Sequence, residues 1–431
     1  MKKESVAFRI FIIASITIML LVPLLMIQSL VDERQKYRHE AIGEIKKSWA
    51  GSQTVAGPVL TVVKKTEKHD KDGNKYIVKH RTNYLPDKLE IFVNVQPEIR
   101  YKGIYETVLY KAKIRMKGQV DLTKLRERFP DDSYYEIYAT FNVSDLKGVR
   151  KDSKFILNGK TYNLTPGTKN KIFRQGFYTD LHLDEKTIQN FKVELDLNGI
   201  EFLGFIPLGK YTDANINSPW NNPGFVGAFL PASREITENN FSAKWSVNYF
   251  NRSYPQEWNN NSYDVFSSAF GVNFLMPIDE YQKTSRTSKY GIMIIVLTFL
   301  SFFLVELFGK KVIHPIQYLL VGLALIIFYS ILLAVSEYIV FQYSYLISSL
   351  LVILLIGLYV KSIYGSKQIA LIITGILTMF YGFMYVILQL QDYSLLLGNI
   401  ALFIILAFVM FFTRKVNWFD VFSSKSNVVK S

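Results

Sequence analysis

The sequence contains no cysteine. Its absence excludes disulfide bonds, thiolate nucleophiles, Cys-ligated zinc sites and iron–sulfur centres. A chain without thiols is compatible with an oxidising compartment outside the cytoplasm, but this absence alone does not place it there.

Motifs that carry common enzymatic chemistry are also missing. The sequence has no Gly-x-x-x-x-Gly-Lys-Ser/Thr phosphate-binding loop, no His-Glu-x-x-His zinc motif and no Gly-x-Ser-x-Gly nucleophile elbow. Ser144-Asp145-Leu146-Lys147 matches the Ser-x-x-Lys pair of penicillin-binding enzymes, but the companion motifs are absent and Ser-Asp is common in turns. The five histidines are scattered without ligand spacing: His39, His69, His80, His182 and His314. We therefore predict no catalytic residue, no metal site and no bound cofactor.

Long apolar runs, in contrast, are abundant. Five of them cover residues 290–308, 316–336, 341–360, 369–388 and 394–412. Each is about as long as the roughly twenty helical residues that cross a ~30 Å hydrocarbon core. A sixth run, residues 10–31, follows a basic N-terminus and lacks the Ala-x-Ala cleavage site of a signal peptide. These runs predict six transmembrane helices, one plus five, of which the first is an uncleaved anchor.

Basic residues lie in alternate loops between these runs. They are Lys310, Lys311, Lys361, Lys367, Arg414 and Lys415. The intervening loops at residues 337–338 and 391–392 contain neither lysine nor arginine. This alternation is the positive-inside pattern, and it predicts that both chain termini are cytoplasmic while residues 32–289 lie on the opposite side.

Small residues interrupt the apolar runs and predict close packing of the helices in a bundle. The glycines concerned are Gly322, Gly357, Gly375, Gly382 and Gly398.

The formal net charge of +14 is divided between two regions. Residues 32–289 contain 39 Lys/Arg and 31 Asp/Glu, and the rest of the chain contains 11 and 5. The second excess reflects membrane topology, whereas the first favours acidic lipid head groups or envelope polymers. The predicted partners are the lipid bilayer and envelope proteins or peptidoglycan, and not nucleic acid, because the charged region is predicted to lie outside. The sequence does not indicate an oligomeric state.

Residues 32–49 are predicted to form a solvated helical stalk, and from Gln53 the apolar period changes to two. Predicted strands cover residues 59–63, 76–78, 89–95, 104–120, 135–143, 155–164, 191–197 and 201–206, with a short helix over 121–129. Asn158-Gly159 and Asn198-Gly199 predict two tight hairpins, because both residues of the dipeptide tolerate positive φ. The fold expected is a β-rich, mainly antiparallel, sandwich-like domain in one or two subdomains.

The strand at residues 104–120 places four basic residues between apolar ones. Lys111, Lys113, Arg115 and Lys117 alternate with the apolar positions, which predicts a half-buried strand with a basic outer face. This face is either an ordinary solvated surface, which we favour, or a binding stripe.

Aromatic residues are concentrated in and after a segment rich in Gly, Pro and Asn, residues 211–237, which is predicted to be a long loop. The candidate interaction or structural positions are Ser218, Pro219, Trp220, Phe225, Trp245 and Trp258. They predict either a surface that faces sugar or lipid, or side chains packed in the core or at the membrane interface, and we favour the second interpretation.

Three acidic residues lie near the predicted membrane boundaries. Glu306 precedes Lys310 by one helical turn, which predicts an ion pair at the cytoplasmic interface. Glu337 and Asp392 lie at external helix ends, where they either anchor loops or take part in a proton or ion relay. We favour the anchoring role, since water can reach both positions.

Several ordered stretches resemble the CreD family of bacterial inner-membrane proteins, which are described as cell-envelope integrity proteins. They include Gly57-Pro58-Val59-Leu60, Leu85-Pro86-Asp87, Pro97-Glu98-Ile99-Arg100-Tyr101, Ser218-Pro219-Trp220, Pro277-Ile278-Asp279-Glu280-Tyr281-Gln282-Lys283, His314-Pro315-Ile316-Gln317-Tyr318 and Leu388-Gln389-Leu390-Gln391-Asp392. The resemblance extends over nearly the whole chain. It departs from the family at Gln391, where relatives tend to carry an acidic residue.

This resemblance implies a connection with envelope or peptidoglycan stress, two-component control of expression, a periplasmic location for the soluble part and no catalytic residues. The expected organisation is an anchor (1–31), a β-rich periplasmic domain (32–289), a five-helix transmembrane bundle (290–413) and a basic cytoplasmic tail (414–431). The predicted function is non-enzymatic support of envelope integrity through binding by the periplasmic domain. The alternative is a transporter or channel for a small solute or lipid, gated by that domain.

Overall fold

The structure is a computed structural model that describes residues 6–70, 72, 74–128, 135–150, 153–169, 171–182, 187–259, 263–274, 280–308, 312–389 and 394–414. The chain divides into two compact units. The membrane unit comprises Met1–Arg38 and Ile278–Ser431, and the β unit comprises His39–Pro277.

The six apolar runs form the helices α1 (Val6–Ser48), α4 (Gly291–Phe308), α5 (Pro315–Ser336), α6 (Phe341–Tyr364), α7 (Lys367–Gln389) and α8 (Ser394–Thr413). Two short polar helices, α2 (Thr123–Arg128) and α3 (Glu280–Lys289), lie outside these runs. Within the described residues, α1, α5, α6 and α7 are long and apolar enough to cross a membrane, and the bent pair α3–α4 adds a fifth span if it is counted as one. The predicted number of six remains a prediction, since the described apolar part of α8 covers only Leu396–Phe408.

The core of the membrane unit lies among α1, α4, α5, α6 and α7. Phe328 and Tyr329 of α5 and Tyr381 of α7 are fully or almost fully buried there. Gly322 confirms the prediction of close packing, because an added Cβ would lie 2.2 Å from Leu20 Cδ1. Gly357 also confirms it, because an added Cβ would lie 2.7 Å from Thr374 Oγ1. Three other glycines do not support it, because an added Cβ would meet no atom of the described residues within 4 Å: Gly375, Gly382 and Gly398.

The β unit is built from seventeen strands within the described residues. They are β1 (Gln53–His69), β2 (Lys75–Tyr84), β3 (Lys88–Lys102), β4 (Tyr105–Asp121), β5 (Tyr135–Val143), β6 (Lys154–Leu157), β7 (Lys160–Tyr162), β8 (Thr165–Pro166), β9 (Gly176–Asp180), β10 (Ile188–Ile200), β11 (Phe202–Phe205), β12 (Tyr211–Ser218), β13 (Pro223–Gly227), β14 (Ser233–Ile236), β15 (Phe241–Asn248), β16 (Glu257–Asn259) and β17 (Phe270–Phe274).

These strands form two sheets. One sheet has the order β13-β17-β11-β1-β5-β9-β8, with β2 paired to β1 and β16 paired to β2. The other has the order β14-β15-β12-β3-β4-β10-β6-β7. A single cluster of buried apolar side chains includes residues of both sheets, such as Val59 and Phe141 from the first and Ile114 and Val193 from the second. The β unit is therefore a two-sheet structure around one core, as the alternating pattern predicted.

One of the two predicted Asn-Gly hairpins is confirmed and the other is wrong. Asn158 and Gly159 have φ values of 48° and 83° and connect β6 to β7. Gly199, however, lies inside β10 and pairs with Tyr110 of β4. The chain turns only at Glu201, whose φ is 58°, and β11 then joins the other sheet. Gly199 is needed because the Tyr110 ring covers it, so that an added Cβ would lie 2.2 Å from the tyrosine hydroxyl.

Two further predictions are corrected. The segment at residues 211–237 is not a long loop, because it contains β12, β13 and β14. The predicted stalk is the C-terminal part of α1, but it is not solvated on every side. Ile42 is buried against Leu109 and Ile200, because one face of the helix carries apolar side chains at helical spacing.

Candidate functional site

The outer surface of the eight-stranded sheet carries a row of cations on β4. Ala112, Ile114 and Met116 point into the core and are buried, whereas Lys111, Lys113, Arg115 and Lys117 are exposed between them. This alternation follows from the two-residue period of a strand. We call these four side chains the basic face.

Polar side chains flank the basic face on both sides. Lys113 lies opposite Asn94 on β3 and Asp196 on β10, and Lys111 lies opposite Gln96 and Asn198 on the same strands. Ammonium groups provide three hydrogen-bond donors each, and amides provide both donors and acceptors. The arrangement therefore suits a ligand that carries negative charge together with hydroxyl or amide groups.

Two members of the basic face have acidic partners. Lys117 Nζ lies 3.0 Å from Glu90 Oε2, and Arg115 Nε lies 3.7 Å from Glu194 Oε1. Hydrogen bonds from Lys88 and Lys117 lower the pKa of Glu90, and a hydrogen bond from Lys192 lowers the pKa of Glu194. Both carboxylates are therefore ionised at neutral pH, and each is shared between two cations.

The other two members of the basic face, Lys111 and Lys113, differ from Arg115 and Lys117 in their acidic partners. Within the described side chains, Lys111 and Lys113 have no carboxylate at salt-bridge distance. Asp196 lies opposite Lys113 on β10, but neither lysine is held in a salt bridge with a described side chain, so both ammonium groups can turn toward an external anion. Sequence reasoning found the row of cations but could not separate these two lysines from Arg115 and Lys117, because the separation depends on side chains of neighbouring strands.

The aromatic candidates form part of the core. Trp245 is only 2% exposed, and its Nε1 donates a hydrogen bond to the Phe229 carbonyl oxygen at 3.1 Å. Phe225 packs against Trp245 with ring centroids 5.7 Å apart. The half-buried Trp220 lies near Phe274, at 6.4 Å between centroids, and the same core extends to that residue. These residues close the core instead of presenting a flat aromatic surface.

The remaining candidates of the β unit are Ser218 and Pro219, which precede Trp220 in the chain, and Trp258, which lies in a different strand. Ser218 ends β12 and is buried, and Pro219 follows it in the turn toward Trp220. Trp258 lies apart from this group in β16, where it is buried and packs edge-on against Tyr263 at 5.6 Å. The structure therefore brings Trp220, Phe225 and Trp245 into one region and leaves Trp258 outside it.

A buried ionic group lies in the membrane unit. The Arg9 guanidinium on α1 forms an ion pair with Glu306 on α4, whose side chain is only 5% exposed. Tyr318 on α5 donates its hydroxyl hydrogen to Glu306 Oε2 at 3.1 Å. Sequence reasoning missed Arg9 as the partner because 297 positions separate the two residues. Lys310, the partner predicted from sequence, lies outside the described residues.

A second ion pair joins α1 to the end of α5. Arg34 Nε lies 3.5 Å from Glu337 Oε1, and Glu337 is the C-cap residue of α5. At about 1.5 Å per helical residue, Arg9 and Arg34 are separated by roughly 37 Å along α1, slightly more than a ~30 Å hydrocarbon core. The two ion pairs therefore join α1 to α4 and to the end of α5 at two points whose separation is close to the thickness of a hydrocarbon core. Asp392, the third acidic candidate, lies outside the described residues.

In the part of the chain that the structure describes, no group of three or more His, Asp or Glu side chains is arranged to hold a metal ion. Two kinds of candidate remain among the described residues. In the β unit they are Lys111 and Lys113, which form no salt bridge with described side chains. In the membrane unit they are the ion pairs Arg9–Glu306 and Arg34–Glu337.

The family model described as inner membrane protein CreD matches residues 5–419. The inner membrane protein CreD of Escherichia coli (strain K12) is 30% identical over 428 residues, which cover 97% of this chain and 95% of that protein.

Solved structures give only weak similarity. Native yeast LTA4 hydrolase matches with a TM-score of 0.21 and 4% identity, over 50% of this chain and 35% of that chain. The same enzyme in complex with bestatin matches with a TM-score of 0.20 and 5% identity, over 49% and 34%. This chain spans about a third of the length of that enzyme. The match of the family model over nearly the whole sequence shows that the chain belongs to the inner membrane protein CreD family.

Proposed function

We propose that this inner membrane protein supports cell-envelope integrity by binding peptidoglycan through the basic face of its β unit. The observation that carries the proposal is the pair Lys111 and Lys113, whose ammonium groups form no salt bridge with the described side chains. Peptidoglycan presents carboxylates together with sugar hydroxyls and amides, and these groups complement ammonium groups flanked by Asn94 and Gln96. The side chains of this surface supply fixed charge and hydrogen bonds, so the proposed role is binding without catalysis.

The proposed orientation follows from the basic loops. Both chain termini and the loop that contains Lys361 and Lys367 are cytoplasmic, and the β unit lies in the periplasm. The support is the positive-inside distribution of the basic loops, and the orientation requires α8 to be a sixth span. In this orientation the basic face meets the cell wall.

Loss of the two unpartnered charges is expected to weaken binding to peptidoglycan. In a sedimentation assay with purified sacculi and full-length protein in nanodiscs, Lys111→Gln/Lys113→Gln should bind at least about tenfold more weakly, since a hydrogen bond to a charged group contributes about 1.5–3 kcal/mol. Binding of the unmodified protein should also fall as salt is raised from low to physiological ionic strength.

The matched control is Lys160→Gln/Lys244→Gln, which removes the same charge from exposed positions of the same sheet. It should retain binding within about twofold, because long-range attraction between exposed charges is screened beyond ~8–10 Å. Equal losses in the two double variants, or undiminished binding by the Lys111/Lys113 variant, would refute a specific role for the basic face.

The buried Arg9–Glu306–Tyr318 group favours a second candidate, a transporter or channel for a small solute or lipid. Ionisable side chains within membrane helices often mark substrate or proton pathways. This candidate predicts that Glu306→Gln, which keeps an acceptor for Tyr318 but removes the charge, abolishes solute flux in proteoliposomes. If the unmodified protein shows no solute flux in proteoliposomes, this candidate is refuted and the Arg9–Glu306–Tyr318 group has a structural role.

A further inference from the structure

A groove of ≈ 510 Å³ lies between α6 and α7. Its walls include Tyr345 and Leu350 from the N-terminal half of α6, and Thr378, Tyr381 and Gly382 from the C-terminal half of α7. None of the side chains that line it is charged. Gly382 leaves the groove open, because an added Cβ there would have no neighbour within 4 Å.

The groove opens on an apolar surface. On α6, Leu346, Leu350, Leu354 and Leu358 follow one another at intervals of four residues, and each is at least half exposed. A face of this kind suits the hydrocarbon of a bilayer. From this side the groove is accessible to an acyl chain.

One end of the groove is polar. The Tyr345 hydroxyl donates a hydrogen bond to the Tyr381 carbonyl oxygen at 2.7 Å. The Tyr381 side chain is 2% exposed, and its hydroxyl has no hydrogen-bond partner among the described residues. The hydrogen bond from Tyr345 therefore joins α6 to α7 at the wall of the groove.

A buried cation lies beyond this polar end. The Lys283 ammonium group on α3 is 5.3 Å from the centroid of the Phe341 ring, and Phe341 packs against Tyr345 at 5.8 Å. Lys283 is only 8% exposed, and within the described side chains it has no carboxylate at salt-bridge distance. Phe341 is also the first residue of α6, whose N-terminal amides carry partial positive charge and have no side-chain cap. Lysine and helix terminus together attract an anion.

We propose that the groove holds an anionic phospholipid of the surrounding bilayer, with its phosphate near Lys283 and the N-terminus of α6 and one acyl chain between α6 and α7. The charge of the head group complements Lys283, and the chain continues the hydrocarbon that covers the leucines of α6. This site lies in the membrane unit and is independent of the basic face of the β unit.

The experiment measures lipid binding to the delipidated full-length protein by native mass spectrometry. Phosphatidylglycerol and phosphatidylcholine with the same acyl chains are the probes. Phosphatidylglycerol should bind about tenfold more tightly, as one charge-assisted contact predicts. Lys283→Gln should remove this preference and leave phosphatidylcholine binding unchanged, whereas Lys283→Arg should keep it. Equal affinity for the two lipids in the unmodified protein would overturn the site.

The acyl-chain part is tested by a matched pair in α7. Gly382→Leu should fill the groove and weaken binding of both lipids at least about tenfold, because displaced acyl methylenes contribute about 0.8 kcal/mol each. Gly375→Leu lies two helical turns away on the same face, also has open space at its Cβ position and should leave binding unchanged. Equal effects of the two substitutions would refute lipid binding in the groove. The same spectra report the oligomeric state. If the unmodified protein were a dimer and Gly382→Leu a monomer, the groove would be an interface with a second copy of the chain, and the lipid site would be refuted.

Discussion

The Glu306→Ala variant is expected to lose about 3–5 kcal/mol of stability, because it leaves the Arg9 guanidinium in the membrane unit without its counter-ion. Glu306 is the only acidic group that the structure shows paired with Arg9 among the described side chains, and its carboxylate is 5% exposed. The substitution also removes the acceptor of the Tyr318 hydroxyl. The measurement is thermal unfolding in detergent together with the amount of protein in isolated membranes.

Two controls separate the unpaired charge from simple loss of contacts. Arg9→Met/Glu306→Leu removes both charges and should recover most of the stability, since an ion pair can be replaced by apolar side chains at little cost. Glu337→Ala breaks the more exposed pair with Arg34 and should change stability by less than about 1 kcal/mol. A Glu306→Ala protein as stable as Glu337→Ala would contradict the assigned role of the buried pair.

Gly199→Ala is expected to destabilise the β unit by about 3 kcal/mol. The new methyl group would lie 2.3 Å from Tyr110 Cζ, and the fully buried ring can move only by losing packing and its hydrogen bond to the Phe202 carbonyl oxygen at 2.7 Å. Urea unfolding of the full-length protein in detergent, followed by tryptophan fluorescence, measures the loss. Trp245 and Trp258 report on the same core.

Gly159→Ala is the matched comparison, because it changes the other Asn-Gly dipeptide. Gly159 has a positive φ of 83° but nothing within 4 Å of an added Cβ, so only backbone strain of about 1 kcal/mol is expected. In a Tyr110→Ala background, the further cost of Gly199→Ala should fall below about 1 kcal/mol. A cost that does not depend on Tyr110 would show that the ring does not determine the need for glycine.

These two glycines show how far the sequence predicts this fold. Local signals were sufficient where the structure depends on neighbours along the chain, as in the alternation of β4, the apolar runs and the hairpin at Asn158-Gly159. They were insufficient at Gly199, because an Asn-Gly dipeptide has the same composition whether it turns or lies beneath a ring from another strand. The strands within residues 211–237 were missed for a similar reason, since pairing with distant strands outweighs the turn preference of Gly, Pro and Asn.

The candidate sites show the same limit. The row of cations on β4 was visible in the sequence, but the contrast between Lys113 and Arg115 depends on side chains of β3 and β10. Glu306 was noticed as an unusual charge, yet its partner Arg9 is 297 positions away. Lys283 belongs to a stretch that resembles the CreD family, but its burial was not predicted, because that burial results from the packing of a short polar helix against α5, α6 and α7.

The central proposal is the orientation inferred from the basic loops, in which the basic face of the β unit and the loop between α6 and α7 lie on opposite sides of the membrane. The natural chain has no cysteine, so each single-cysteine variant has one labelling site. With a membrane-impermeant maleimide on intact spheroplasts, Lys244→Cys should be labelled at once, and Ser366→Cys only after the membrane is permeabilised. Protection of Lys244→Cys until permeabilisation would place the β unit in the cytoplasm and contradict the account.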